Sequence, residues 1–164
     1  MFKKTEKGFT LVELLVVISI MSILTVITVS QFMTARKKSR DVSRRGDLDG
    51  VKNALLMYYA DYGVFPVAGT GGIIDTYAWG SEFKDADYTY MKVLPQEKWL
   101  KDKTFCYVTD TDKKKFAIYG MFENTLDSDC HMNGNIGAYS ACGTQYCYAV
   151  FSPNTGIAST GGFL

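Results

Sequence analysis

No proline interrupts residues 9–62 of this 164-residue chain, and the first of its three prolines is Pro66. A proline inside a helix removes a hydrogen bond and clashes with the preceding turn, so its absence leaves a very long helix open. No charged residue lies between Leu14 and Ala35, a run of 22. An apolar run of that length can cross a bilayer as a helix. No cysteine precedes Cys106, and His131 is the only histidine. A lone histidine makes neither a catalytic triad nor a metal cluster, and no nucleophile–base pairing is visible. Gly69-Thr70-Gly71-Gly72 is not followed by Gly-Lys-Ser/Thr, so it reads as a flexible turn and not a phosphate loop. A net charge of +1 implies no partner of either sign, nucleic acid included. The chain reads as a non-enzyme with no required cofactor.

What is present divides unevenly. Met1–Gly8 is a short leader with Lys3, Lys4 and Lys7 against Glu6. Residues 9–35 form the apolar segment, with one carboxylate, Glu13, inside its start. An ordinary secretory signal closes its apolar stretch with a small-residue cleavage site, whereas here a glycine precedes the stretch. An uncleaved signal anchor is the competing reading. A carboxylate at the depth of Glu13 is costly in hydrocarbon and calls for a partner, unless it snorkels to the headgroups.

Leu48, Val51, Leu55, Tyr58 and Tyr62 recur at steps of three and four. They mark one stripe of an amphipathic helix over residues 36–63, which Gly63 and Pro66 end. A continuous helix over residues 9–62 would be ~80 Å long. Gly46 and Gly50 are its weak points, or places where another subunit approaches. Residues 64–103 form a connection with no legible pattern. Its aromatics Trp79, Phe83, Tyr88, Tyr90 and Trp99 read as packing and surface residues. Thr104–Thr109, Phe116–Glu123 and Tyr146–Ser152 read as strands, with a turn at Asp110–Lys114. The expected architecture is α+β: a long N-terminal helix against a small antiparallel sheet over 104–152, with a loop at 124–145 and a tail at 153–164.

Cys106, Cys130, Cys142 and Cys147 fall at one end of that sheet or in the adjoining loop. An even count in a small polar region reads as two disulfides formed in an oxidising compartment, with three pairings open. Zinc is the alternative, but it usually takes paired Cys-x-x-Cys spacing. Asp127, Asp129, Asn133 and Asn135 offer oxygens at alternate positions, which suits calcium, although no glutamate closes the site as in an EF-hand. A polar turn-forming loop is the plainer account of them. The charges give conflicting directions. Arg36, Lys37, Lys38, Arg40, Arg44 and Arg45 follow the apolar run, and only three basic residues precede it. The positive-inside rule alone would place the C-terminal side in the cytoplasm. The cysteines place it outside. The basic cluster then lies at the outer headgroups, pairs with acids of other subunits, or forms a solvated helix face.

Gly8-Phe9-Thr10-Leu11-Val12-Glu13-Leu14-Leu15-Val16-Val17-Ile18 resembles the signal and N-terminal helix of type IV pilins and type II secretion pseudopilins. Ala54 through Pro66, ending Asp61-Tyr62-Gly63-Val64-Phe65-Pro66, is similar to the junction of helix and head in the same family. The resemblance covers roughly residues 1–66. It implies a structural subunit that polymerises into a type IV pilus or related filament, with a secretion pseudopilin as alternative. It also implies cleavage by a prepilin peptidase after Gly8 and methylation of the new amino terminus at Phe9. Glu13 would neutralise the Phe9 amine of a neighbouring subunit and set the axial register. Further implications are insertion in inner-membrane lipid with the amino terminus inside and the head outside, and handling by pilus or secretion assembly machinery. Major pseudopilins often hold calcium in the loop comparable to 124–145. Many relatives carry a helix-kinking proline where this chain has Ser30, which puts local melting of the helix on assembly in doubt. A membrane-anchored binding module is the alternative from another class.

Overall fold

The computed structural model describes residues 8–100, 104–128, 130 and 146–154. The chain divides into two compact units, Met1–Lys37 and Lys38–Leu164. The helix α1, Leu11–Tyr62, runs unbroken across the boundary. Its end is the expected one. Gly63 adopts a φ of 69°, and its N–H donates to the carbonyl of Tyr59 at 2.8 Å. This left-handed cap stops the helix at little steric cost because glycine has no Cβ.

In the second unit, five short strands follow the helix: β1 Phe83–Lys84, β2 Thr89–Met91, β3 Cys106–Thr109, β4 Phe116–Gly120 and β5 Tyr148–Phe151. β3, β4 and β5 form an antiparallel meander in sequence order, with Cys106 opposite Tyr119 and Gly120 opposite Tyr148. The three expected strands are all present, each shorter than its sequence pattern suggested. β4 is buried on both faces. Phe116 and Ile118 join Leu48, Val51, Ala54 and Leu55 of α1 in the main core, whereas Ala117 and Tyr119 pack with Cys106, Val108 and Tyr146 in a second cluster. That double burial follows from alternation of side chains across a central strand. At Gly120 an added Cβ would meet Leu48 Cδ1 at 3.2 Å, so the missing side chain lets the helix approach.

The amphipathic stripe holds at Leu48, Val51 and Leu55, while Tyr62 departs from it. Half-exposed, it stacks on Tyr58 at 4.5 Å between centroids and donates its hydroxyl to Asp85 at 2.6 Å. Two features of the connection had no sequence signal. β1 and β2 pair as a small antiparallel hairpin. The glycine turn docks on β3: the Gly72 carbonyl accepts from the Tyr107 N–H at 2.8 Å and from the Trp79 indole at 3.1 Å. Of the two helical glycines, Gly46 has open space where a side chain would sit, and a Cβ added at Gly50 would meet Met91 of β2 at 3.4 Å.

β4 stops at Gly120 and not at Glu123. Beyond Gly120 the backbone turns toward α1, where Asp41 accepts from the N–H groups of Glu123 and Asn124, both at 2.9 Å. A side-chain carboxylate takes over from the neighbouring strand as hydrogen-bond partner.

Candidate assembly site and the helix–head junction

The amino-terminal site begins outside the helix. Gly8, Phe9 and Thr10 are not helical, and all three are exposed. Nothing lies within 4 Å of the place a Gly8 side chain would occupy. The first turn is closed by a reciprocal cap. Thr10 donates to Glu13 Oε2 through its backbone N–H and through its hydroxyl, each at 2.8 Å. The Glu13 N–H returns a bond to the Thr10 hydroxyl at 3.3 Å. This is a Ser/Thr-x-x-Glu capping box, which satisfies amide donors that a helix start otherwise leaves orphaned. This cap was not among the sequence expectations, although a Thr-x-x-Glu spacing ahead of an apolar run is the pattern that marks one.

Above the cap the helix surface is apolar all round. The large apolar side chains from Leu11 to Met33 are exposed within the chain itself. Among the described residues, α1 is the one helix long and apolar enough to cross a membrane. Four of its hydroxyls bond the backbone of the preceding turn. Ser19 bonds the carbonyl of Val16, Ser22 that of Ile18, and Thr25 that of Met21, at 2.7–2.8 Å. Thr28 bonds the carbonyls of Leu24 and Thr25, both at 3.0 Å. Back-bonding of this kind lets hydroxyls enter an apolar medium without leaving a donor unpaired. Arg36 lies over the Phe32 ring at 5.3 Å.

Farther along α1, the structure revises the reading of the basic cluster. Arg40, Arg44 and Arg45 do not form a solvated face. The Arg44 side chain is only 2% exposed and meets three carboxylates: Asp41 at 2.6 Å, Glu97 at 2.7 Å and Glu123 at 2.9 Å. Arg40 bonds Glu123 through Nε at 2.8 Å, and Arg45 bonds Asp127 at 2.6 Å. Trp99 covers the Arg44 guanidinium at 5.3 Å. Burial works against the Arg44 charge, but hydrogen bonds to Glu97 and Glu123 outweigh it and hold the guanidinium above its ordinary value. Hydrogen bonding by Arg40, then Arg44, keeps Glu123 below the usual carboxylate range. At Glu97 burial opposes the charge, yet Arg44 and the N–H groups of Trp99 and Leu100 bring it below that range too. The buried stripe of α1 therefore begins at Asp41 and Arg44, three and four residues apart in step with Leu48, and its polar end was invisible to an apolar pattern.

Cys130 and Cys147 form a disulfide with 4.5 Å between Cα atoms. Cys106 is also disulfide-bonded, and no cysteine is free among the described residues. Cys142 lies outside the described residues. So do Asp129, Asn133 and Asn135 of the calcium expectation. The fourth, Asp127, is the partner of Arg45. The described residues contain no group of three or more metal-ligating His, Cys, Asp or Glu side chains.

Residues 3–29 match the model of the prokaryotic N-terminal methylation motif. The chain is 32% identical over 143 residues to the type II secretion system core protein G of Aeromonas hydrophila, covering 85% of this chain and 96% of that protein. It belongs to the type IV pilin and type II secretion pseudopilin family. The core protein G of Pseudomonas aeruginosa is 25% identical over 140 residues, covering 84% of this chain and 97% of the relative. Fimbrial protein EcpC of Eikenella corrodens is 38% identical, but over 66 residues, or 40% of this chain and 43% of that protein. No solved structure matches.

Proposed function

We propose that this pilin-like filament subunit is a major pseudopilin, assembling into the short filament of a type II secretion system. The observation that carries the reading is how far each likeness extends. The core protein G relatives align through the head, whereas the fimbrial likeness covers only 66 residues. A type IV pilus subunit is the second reading, favoured by the higher identity within that shorter stretch.

In this reading the leader of residues 1–8 is removed by a prepilin peptidase between Gly8 and Phe9, and Phe9 becomes the methylated amino terminus. The apolar part of α1 first resides in inner-membrane lipid, with the head outside. It then transfers into the filament core, where the Glu13 carboxylate faces the cationic Phe9 amine of a neighbour. Pairing offsets the cost of holding either charge in an apolar medium. The cap at Thr10 supports this sequence of events, because it occupies Glu13 Oε2 and gives the carboxylate a partner before a neighbour arrives. Calcium binding in the loop 124–145 is a proposal for the same family reason, with Asp127 engaged by Arg45.

Deleting the gene in its host tests the assignment. Exported proteins retained in the periplasm, with surface fibres unchanged, are expected for a pseudopilin. Lost surface fibres with normal secretion would assign the chain to a pilus instead.

A further inference from the structure

We propose that segment 121–128 is an acid-released strap, held onto α1 by buried carboxylate–guanidinium contacts and bounded by a hinge and a covalent staple. At one end the Cys147 N–H still donates to the Gly120 carbonyl at 3.2 Å, so the sheet ladder continues to that point. At the other end Cys130 is tied to Cys147. Both ends of the strap therefore meet at the start of β5, and between them the segment can lift without unravelling the sheet.

Its contacts with α1 are almost all ionic. Glu123 meets Arg40 and Arg44, and Asp127 meets Arg45. Asp41 accepts from two strap amides and from Arg44. Glu97 closes the same cluster from the connection. Among the described residues, Asp47 on α1 and Lys98 beside Glu97 also lie within electrostatic reach of the cluster. The apolar anchor is Phe122, stacked on Tyr148 at 4.6 Å and covered by the Arg45 guanidinium at 4.8 Å.

Protonating both Glu123 and Glu97 leaves the buried Arg44 with Asp41 as its one remaining carboxylate of the three, and takes the carboxylate from Arg40 as well. Taking partners away from a buried ion cluster is costly, because the remaining ions stay desolvated. Opening the strap returns Arg44 to water and uncovers Phe122. The sign is fixed by the lowered carboxylates: the hold is complete at neutral pH and is lost as pH falls through their depressed values. The strands β3, β4 and β5 contain no carboxylate, and their ladder stays closed.

Hydrogen exchange on the full chain in detergent, from about pH 7 to about pH 3 and corrected for intrinsic rates, tests this. Protection of 122–128 and of Trp99–Leu100 should fall about tenfold or more while that of β4 is unchanged, one pK unit being a tenfold change in population. Strap and sheet losing protection together, or a strap that persists until the sheet unfolds, would overturn the proposal. The Glu97→Gln/Glu123→Gln double variant should show an open strap at neutral pH with no further acid dependence. A closed strap in that variant would count equally against it. If the variant does not fold, the titration of the unmodified chain decides.

Discussion

Thr10 and Glu13 cap the helix reciprocally: the carboxylate Oε2 accepts the Thr10 N–H and hydroxyl at 2.8 Å, and the Thr10 hydroxyl accepts the Glu13 N–H. The residue assigned to subunit pairing therefore also has a local structural role, and the two roles place different demands on it. A capping box works with glutamine as well as glutamate, because both offer an oxygen to the amide. Neutralising a neighbour's amine requires the charge. Glu13→Gln should insert, be cleaved and keep the helix start ordered, yet fail to polymerise as the sole subunit. Glu13→Leu should lose both the cap and assembly. Electron microscopy of filaments from each variant expressed alone is the check, and normal fibres from Glu13→Gln would refute the pairing.

Processing is tested at Gly8. The backbone there is open and non-helical, with no neighbour to clash with a larger side chain. Gly8→Val should leave the fold intact while blocking the peptidase, which needs a very small residue beside the scissile bond. Mass spectrometry of membranes should then show a full-length precursor retaining Met1–Gly8. Amino-terminal sequencing that starts at Phe9 in this variant would sink the cleavage assignment.

Arg44→Met removes the cation on which three carboxylates converge. Breaking a buried ion pair by deleting one partner typically costs about 3–5 kcal/mol, since the remaining charges stay desolvated. The head should melt at a clearly lower temperature at neutral pH. As pH falls, protonation of Glu97 and Glu123 relieves the unpaired charges, so the deficit relative to the unmodified protein should shrink. Thermal melts across pH measure this; a deficit independent of pH would show that Arg44 acts by packing alone.

The disulfides give a fourth test. Alkylation without reductant should modify no cysteine of the exported protein, and after reduction it should modify all four. Cys130→Ser should destabilise the head by about 2–5 kcal/mol, the usual cost of losing a native disulfide in a small secreted domain. Free thiols in exported protein would defeat the expectation.

The long helix, its apolar first half, the buried stripe at Leu48, Val51 and Leu55, and the three strands of the meander were readable from the chain alone. Each depends on a local regularity: an uninterrupted apolar run, a 3.6-residue period, or alternation between turn residues. The tertiary structure alone decided what meets across long separations. Arg44 finds Glu97 and Glu123, 53 and 79 residues away, and so turns part of an apparently solvated basic face into a buried junction. β4 ends three residues early because Asp41 takes the amides that a strand partner would have bonded. The β1–β2 hairpin and the glycine turn docked on β3 are set by Trp79, Gly72 and Tyr107 meeting in space. Periodicity reports which face of an element is buried. It does not reveal a charge made burialworthy by partners, because those partners lie in segments whose own patterns carry no trace of it.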